Sequence, residues 1–405
     1  MLRLNSQLAE LFANKTAQAE YIEIVGQSVA RISAEFWTAR QRQANPLHEV
    51  AYRACFKPQL PRFFIERLTQ PNEVVYDPFN GRGTTAIEAG LLGRRVIAND
   101  VNPLSHILTQ PRLSPPTIAA LKSRLATLKT DQPQFSATQL QFPMFYHPDT
   151  EAEIHRLRNY LTQKHKENTE DDCDRWIRMV ATNRLTGHSP GFFSVYTLPP
   201  NQAVTAERQT KINQQRQQTP PYRDISALIL RKSKALLSKL SAEDVTHLHT
   251  AATTAVFFTG DAAQTVGIAN DTVQLTVTSP PFLDVVQYAS DNWLRCWFNA
   301  IDAQSIGQHI TMAKSLNEWR NTMQRVFHEL YRITRIGGWV AFEVGEVRNR
   351  SVRLDEHVVP LGLAAGFDCK GILINQQRFT KTSNIWGVSN NMAGTNSNRI
   401  VIFRK

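Results

Sequence analysis

Cysteine is scarce: there are four in 405 residues, at 55, 173, 296 and 369, and no two form a C-x-x-C pair. That spacing argues against a zinc site or a disulfide framework, fits a reducing compartment, and leads us to expect no metal ligands. No apolar run approaches membrane-spanning length. The opening stretch MLRLNSQLAELFANKTAQ has no apolar centre of the kind a signal peptide carries. These features predict a soluble, cytoplasmic chain with no membrane partner. Acidic residues are also in the minority, 35 against 46 Lys and Arg, giving a formal net charge of +11. A surplus of that size favours polyanionic partners, nucleic acid above all, because cationic surfaces gain affinity by displacing counterions from phosphates.

Hydrophobic residues make up 42% of the chain, enough for a sizeable core. Residues 1–45 carry apolar positions at helical spacing (Leu8, Leu11, Phe12, then Ile22, Ile24, Val25, Val29, Ile32 and Phe36), which predicts an N-terminal helical segment. The stretch ERLTQPNEVVYDPFNGRGTTAIEAGLLGRRVIAND then reads as helix, buried strand, glycine turn, helix and second strand, the start of a mostly parallel α/β sheet. From about residue 111 to 252 the alternation lapses. Residues 151–186 look helical. Between Asn201 and Lys234 the chain is polar and Gln-rich, with seven Lys or Arg against two acids. This region reads as an insertion, although a solvated linker would share the composition of its Gln-rich part. The alternation resumes with AVFFTGDA, LTVTSPPF and a long helix at LNEWRNTMQRVFHELYRI. Gly337-Gly338 is expected to cap that helix before strand WVAFEVG, and two paired strands are expected to close the chain.

The first glycine turn carries chemistry. Asp77 is expected at the carboxyl end of a strand, with Gly81 and Gly83 in the turn behind it, the edge where open α/β sheets bind ligands. The pattern G-x-G-x-x-G is incomplete and G-K-[ST] is absent, so neither a dinucleotide fingerprint nor a phosphate-cradling loop is present. Asp100 lies 17 residues beyond Gly83 (100 − 83), the place of an acid that grips ribose hydroxyls. A ligand with a ribose, no pyrophosphate at this turn and a cationic end beside Asp77 matches S-adenosylmethionine. Asp261, in a third strand–Gly–Asp context, could accept from an adenine amino group or serve as a helix N-cap.

The second motif is Thr278-Ser279-Pro280-Pro281-Phe282. Two prolines remove local donors and stiffen the chain past a strand end. Ser279 Oγ and the Pro280 carbonyl are then fixed acceptors beside an aromatic ring. Two acceptors gripping an exocyclic amino group would favour a pyramidal nitrogen with a free lone pair, while Phe282 stacks on a base rotated out of the helix. A Pro-Pro turn that merely ends a strand is the plain alternative.

DPFNGRGTT followed by TSPPF resembles the DNA amino-methyltransferases, which make N4-methylcytosine or N6-methyladenine. CFKPQLPRFFIERLT and SNIWGVSNNMAGTNSNRIVIFRK resemble other segments of that family. The resemblance covers about residues 50–110 and 253–405. It implies a Rossmann-like, seven-stranded, mostly parallel methyltransferase sheet over 46–110 and 253–405. It also implies a largely helical target-recognition region over 111–252. It assigns Asp77, Phe79, Gly81, Gly83 and Thr84 to the methionine portion of S-adenosyl-L-methionine, Asp100 to the ribose and Asp261 to the adenine. Ser279, Pro280, Pro281 and Phe282 become the catalytic set. The family's corner usually ends in Tyr rather than Phe. Serine at its head leans the reading towards N4 of cytosine, with N6-adenine or an RNA base as alternatives and a non-catalytic nucleic-acid-binding protein behind them. Double-stranded DNA with a flipped base is the implied partner, with a cognate restriction endonuclease as a further one.

Overall fold

A computed structural model describes residues 17–37, 44–52, 55–130, 140–198, 203–281, 288–309, 313, 315–347, 352–376 and 397–405. Its frame is a nine-stranded sheet. In chain order the strands are β1 (Gln18–Ile24), β2 (Gln27–Ala34), β3 (Val74–Asp77), β4 (Arg95–Asn99), β5 (Val256–Phe258), β6 (Val273–Thr278) and β7 (Thr334–Val344). A two-residue pair, β8 (Glu346–Val347) and β9 (Val352–Arg353), forms a separate ribbon, and β10 (Asp368–Gln376) and β11 (Ser397–Arg404) complete the large sheet. Across that sheet the order is β1-β2-β10-β11-β7-β6-β3-β4-β5. β11 and β1 run against the rest, and all other strand neighbours are parallel.

The parallel strands read as unbroken apolar runs because helices cover both faces. All four residues of β3 and all six of β6 are buried. On one face lie α1 (Gln59–Leu68), α2 (Thr84–Leu91) and α3 (Leu104–Leu113), which share a core with the strands through Phe64, Ile87 and Leu108. Five helices follow, α4 (Ile118–Thr130), α5 (Pro148–Lys166), α6 (Asp172–Thr182), α7 (Ala206–Arg216) and α8 (Ile225–Leu237), before α9 (Ala242–Thr254). Beyond β6 come α10 (Tyr288–Phe298) and α11 (Ala303–His309). The opposite face is packed by α12 (Leu316–Ile333) and α13 (Leu354–Ala365), whose Phe327 and Val358 meet Phe342 and Phe403 of the sheet in a second core.

Four expectations change. The N-terminal segment is not helical where it is described: residues 18–34 form a hairpin, turning at Val25 (φ 49°) and Gly26 (φ 71°). Two consecutive positive φ values make the two-residue connection that matches strand twist. β2 then adds in parallel to β10, Ile372 opposite Arg31. This hairpin extends the expected seven strands to nine. The pair Gly337-Gly338 lies within β7 rather than capping α12, whose Leu330 carbonyl is met by the amide and hydroxyl of Thr334 directly. Finally, α9 packs on α2, with Leu248 Cδ2 only 3.1 Å from where a Cβ on Gly90 would stand, so the sheet's own layer resumes near residue 242 rather than 253.

Candidate active site

The parallel strands β3, β4, β5 and β6 deliver their carboxyl ends to one edge, where ligands of such sheets bind. β3 pairs directly with β6, Val75 opposite Leu275 and Tyr76 opposite Thr276. The glycine turn and the proline corner, two hundred positions apart in sequence, therefore leave the sheet side by side. A bond seals the junction: Thr278 Oγ1 donates to Asp77 Oδ1 at 2.6 Å, with both groups buried. Thr85 Oγ1 adds a second tie, donating to the Val277 carbonyl at 3.0 Å.

Asp77 is 1% exposed. Its Oδ1 also accepts the Phe79 amide at 3.1 Å. Burial pushes its carboxyl up to about 7, against the pull of the Thr278 and Phe79 bonds. Asp100 stands just past β4. Its Oδ2 accepts the Gly81 amide at 2.7 Å and its Oδ1 the Asn102 amide at 2.9 Å, and burial pushes it up to about 6. Among the described residues no Lys, Arg or His nitrogen comes within 4.0 Å of either acid. Two desolvated carboxyls without a cation suit a ligand that brings positive charge and hydroxyl donors of its own.

The backbone between them is shaped for close approach. Gly81 has φ +52° and Gly83 φ +78°, and a Cβ on Gly83 would stand 2.3 Å from Thr109 Oγ1. Asn80 locks the turn from below through its amide to Ser105 Oγ at 2.7 Å and Thr109 Oγ1 at 2.9 Å. Thr84 opens α2 and is buried, and Phe79 is half-buried against the second core. Asp261 reaches the same edge by another route. Gly260 accepts from Asn99 Nδ2 at 3.0 Å, and its amide donates to the Asp100 carbonyl at 3.3 Å. Asp261 itself is exposed, accepts the Ala263 amide at 2.9 Å and faces Arg325 at 3.5 Å. No helix starts there, so the N-cap alternative is replaced by a local turn.

At the corner, Ser279 is half-buried, Pro280 buried and Pro281 exposed; Phe282 lies outside the described residues. The indole of Trp319, on α12, donates to the Pro281 carbonyl at 3.1 Å. The Pro280 carbonyl has no hydrogen-bond partner among the described residues, and so remains an available acceptor.

Sequence reasoning missed three participants. Thr278, adjacent to the corner, was visible but unassigned. Trp319 appeared only as a helix position. Glu343 was the lone acid in the apolar strand WVAFEVG, which was signal enough to single it out. Thr278 pairs with Phe342 across β6 and β7, so the next residues, Ser279 and Glu343, fall alongside one another. The buried Glu343 carboxyl takes a hydrogen bond from the Ser279 side chain, and the Asn398 amide donates to it at 3.0 Å. Burial holds it above the usual carboxylate range.

Comparison with known proteins gives a local match. The family model described as DNA methylase, of the N6/N4 type, matches residues 10–106, a span that contains the Asp77–Thr84 turn and Asp100 and stops short of the proline corner. Type II methyltransferase M.MjaII of Methanocaldococcus jannaschii is 28% identical over 97 residues, 24% of this chain and 18% of that protein. Type II methyltransferase M.MvaI of Kocuria varians is 33% identical over 81 residues, 19% of this chain and 18% of that protein. The chain thus spans about a fifth of the length of the curated relatives it matches. Among solved structures, the rRNA methyltransferase aviRa of Streptomyces viridochromogenes aligns over 89% of this chain and 90% of its own, at 12% identity and a TM-score of 0.34, a loose superposition.

Proposed function

From the match of residues 10–106 to the DNA methylase family model, we propose that the chain is a DNA amino-methyltransferase that methylates the exocyclic N4 amino group of a cytosine rotated out of duplex DNA. The observation that carries the reading is the Thr278–Asp77 bond, which joins a cofactor turn to a catalytic corner. S-adenosylmethionine, when bound, supplies a methyl group on a positively charged sulfur.

Asp77 would face the cationic portion of that cofactor, with the Phe79, Gly81, Gly83 and Thr84 segment against its methionine tail. Asp100 would take the ribose hydroxyls: each of its oxygens accepts one backbone amide and has capacity for a further hydrogen bond. Asp261 would accept from the adenine amino group.

At the corner, Ser279 Oγ and the Pro280 carbonyl accept the two amino hydrogens of the target base. Glu343 sets the direction of the serine hydroxyl: its hydrogen points into the carboxylate, so the oxygen's lone pairs face the base. The amino nitrogen must shed a proton after methylation, and the serine-to-Glu343 bond offers that proton a buried acceptor. Phe282 stacks on the base, and the helical region between α3 and α9 reads the surrounding sequence. The preference for cytosine over adenine rests on Ser279 at the head of the corner.

The test is methyl transfer from labelled S-adenosylmethionine to DNA, with Ser279→Ala as the control, followed by mass analysis of the nucleosides. N4-methylcytosine is the expected product. Methylated adenine alone would overturn the choice of base, and no cofactor binding by the wild type would overturn the reading as a whole.

A further inference from the structure

Two arginines meet at the glycine turn and bind backbone rather than acids. Arg112, on α3, is fully buried. It donates through Nε to the Leu108 carbonyl at 2.8 Å, through Nη1 to the Leu47 carbonyl at 3.2 Å and through Nη2 to the Arg82 carbonyl. Arg82 lies between the two left-handed glycines of the turn and is half-buried. Its own guanidinium donates to Thr84 Oγ1 at 3.2 Å, to the Val50 carbonyl at 3.2 Å and to the Phe56 carbonyl at 3.4 Å. Among the described residues neither arginine is paired with a carboxylate; the buried Glu88 is taken by His48 at 2.7 Å and Arg62 at 2.8 Å. Burial, and then the charge of Arg82, push Arg112 down to about 9.

Bringing two unpaired cations together out of water is costly. What the arrangement gains is a fixed relation between three stretches of main chain: α3, the glycine turn, and the stretch that carries Leu47, Val50 and Phe56. A planar guanidinium can bridge two carbonyls of different segments at once, which suits it to this task. The side chain so placed is Tyr52. It is 7% exposed, and its ring lies 3.6 Å from where a Cβ on Gly81 would stand. Its hydroxyl accepts from Asn102 Nδ2 at 3.2 Å, and the Asn102 amide in turn donates to Asp100. Tyr52 therefore stands over the same backbone that holds Asp100 in place. The stretch has other anchors, His48 on Glu88 and the Ala51 amide on Asn183 Oδ1 at 2.6 Å. Loss of the Arg82 fork would loosen its seat on the turn without freeing it from the fold.

Resting on S-adenosylmethionine as the cofactor, we infer that Arg82 and Arg112 are positioning residues that seat Tyr52 against the Gly81 turn as a fixed wall of the cofactor site. Arg112 fixes the turn by its Arg82 carbonyl, and the Arg82 side chain draws the Tyr52 stretch onto it. The wall is in place before the cofactor arrives, so none of the binding free energy goes into ordering it.

The experiment uses the full chain. It measures affinity for S-adenosylhomocysteine, the demethylated form of the cofactor, by calorimetry, with kcat and the KM for S-adenosylmethionine on DNA alongside. The variants are Arg82→Gln, Arg82→Lys, Tyr52→Leu and the double variant Arg82→Lys/Tyr52→Leu. Lysine keeps the charge, but a single ammonium cannot span the three acceptors of the Arg82 fork. Both Arg82 variants are therefore expected to lose roughly 10-fold in affinity. KM should rise to match, with kcat at saturating cofactor within about 2-fold of the wild type. Tyr52→Leu should lose about as much, and the double variant no more than either single one, because the arginine acts through the ring. Wild-type affinity in Arg82→Lys beside a loss in Arg82→Gln would overturn the inference, since the charge and not the fork would then matter. Additive losses, about 100-fold in the double variant, would overturn it as well. Tyr52→Leu leaves both arginines in place, so wild-type affinity in that variant refutes the inference even if Arg82→Lys folds poorly. A wild type that binds neither form of the cofactor would overturn the proposed function instead, so the two failures are separable.

Discussion

The bond between Thr278 and Asp77 can be removed without changing shape, by Thr278→Val. Burial pushes the Asp77 carboxyl up to about 7, outweighing its hydrogen bonds. A hydrogen bond to a charged group contributes about 1.5–3 kcal/mol, so its loss should raise that value by roughly one to two units, to about 8.5. A cationic ligand binds the ionised form, so affinity scales with the ionised fraction. At about pH 7.5 that fraction falls from roughly three-quarters to roughly one-tenth, an affinity loss of about 8-fold. At about pH 9 both proteins are mostly ionised and the loss should shrink to under about 2-fold. Wild-type affinity should itself fall as pH drops below about 7, approaching tenfold per unit. The sign for stability is opposite to that of a salt-bridged acid. A carboxyl raised above its unfolded value of 3.8 costs the fold stability as pH climbs from there to about 7, and no more beyond it. Calorimetric titration of S-adenosylmethionine over this pH range, with Thr278→Ser as the restoring control, decides the matter. A defect of equal size at every pH, or none at any, would refute the assignment of Asp77 to the cationic end.

Gly83→Ala should fail for two reasons at once, positive φ and a methyl group 2.3 Å from Thr109 Oγ1; a loss of about 2 kcal/mol or more in denaturant unfolding, with cofactor binding abolished, is expected. Glu343→Gln keeps the shape but removes the proton acceptor, so turnover on DNA should fall about 100-fold while cofactor affinity holds. In the wild type, single-turnover rates should decline as pH falls through the raised Glu343 value, and that decline should vanish in the variant. Trp319→Phe removes the donor to the Pro281 carbonyl; the loosened corner should cost about 10-fold in turnover, with thermal unfolding little changed.

The central β-α-β unit was legible because its signals are local: an apolar run, an acid, two glycines, then a helix whose register begins at Thr84. The corner's position was legible for the same reason. Residues 18–34 depart from the expected helix because Ile22, Val25, Val29 and Ile32 fit a helical stripe as well as a strand. In β2 the alternation that would have decided the matter is erased, since Val29, Ala30, Arg31 and Ile32 are all buried. β2 is an interior strand flanked by β1 and β10, and Arg31 is buried there with Glu20 at 3.1 Å, Glu356 at 2.8 Å and Asp355 at 3.6 Å to neutralise it. No local pattern announces that arrangement. The site shows the same division. Asp77, Gly81, Gly83 and Asp100 stood out as a motif, because each sits in its own turn. Thr278 did not, and Glu343 showed only as a lone acid in an apolar strand, because their contacts come from strand register: one reaches sideways to β3, the other takes its bond from the serine of the neighbouring strand. A lone acid between Phe342 and Val344 in an otherwise apolar parallel strand is expensive to bury. Its bonds to Ser279 and Asn398 offset that cost, and they lie at the edge where the proposed chemistry needs a proton acceptor.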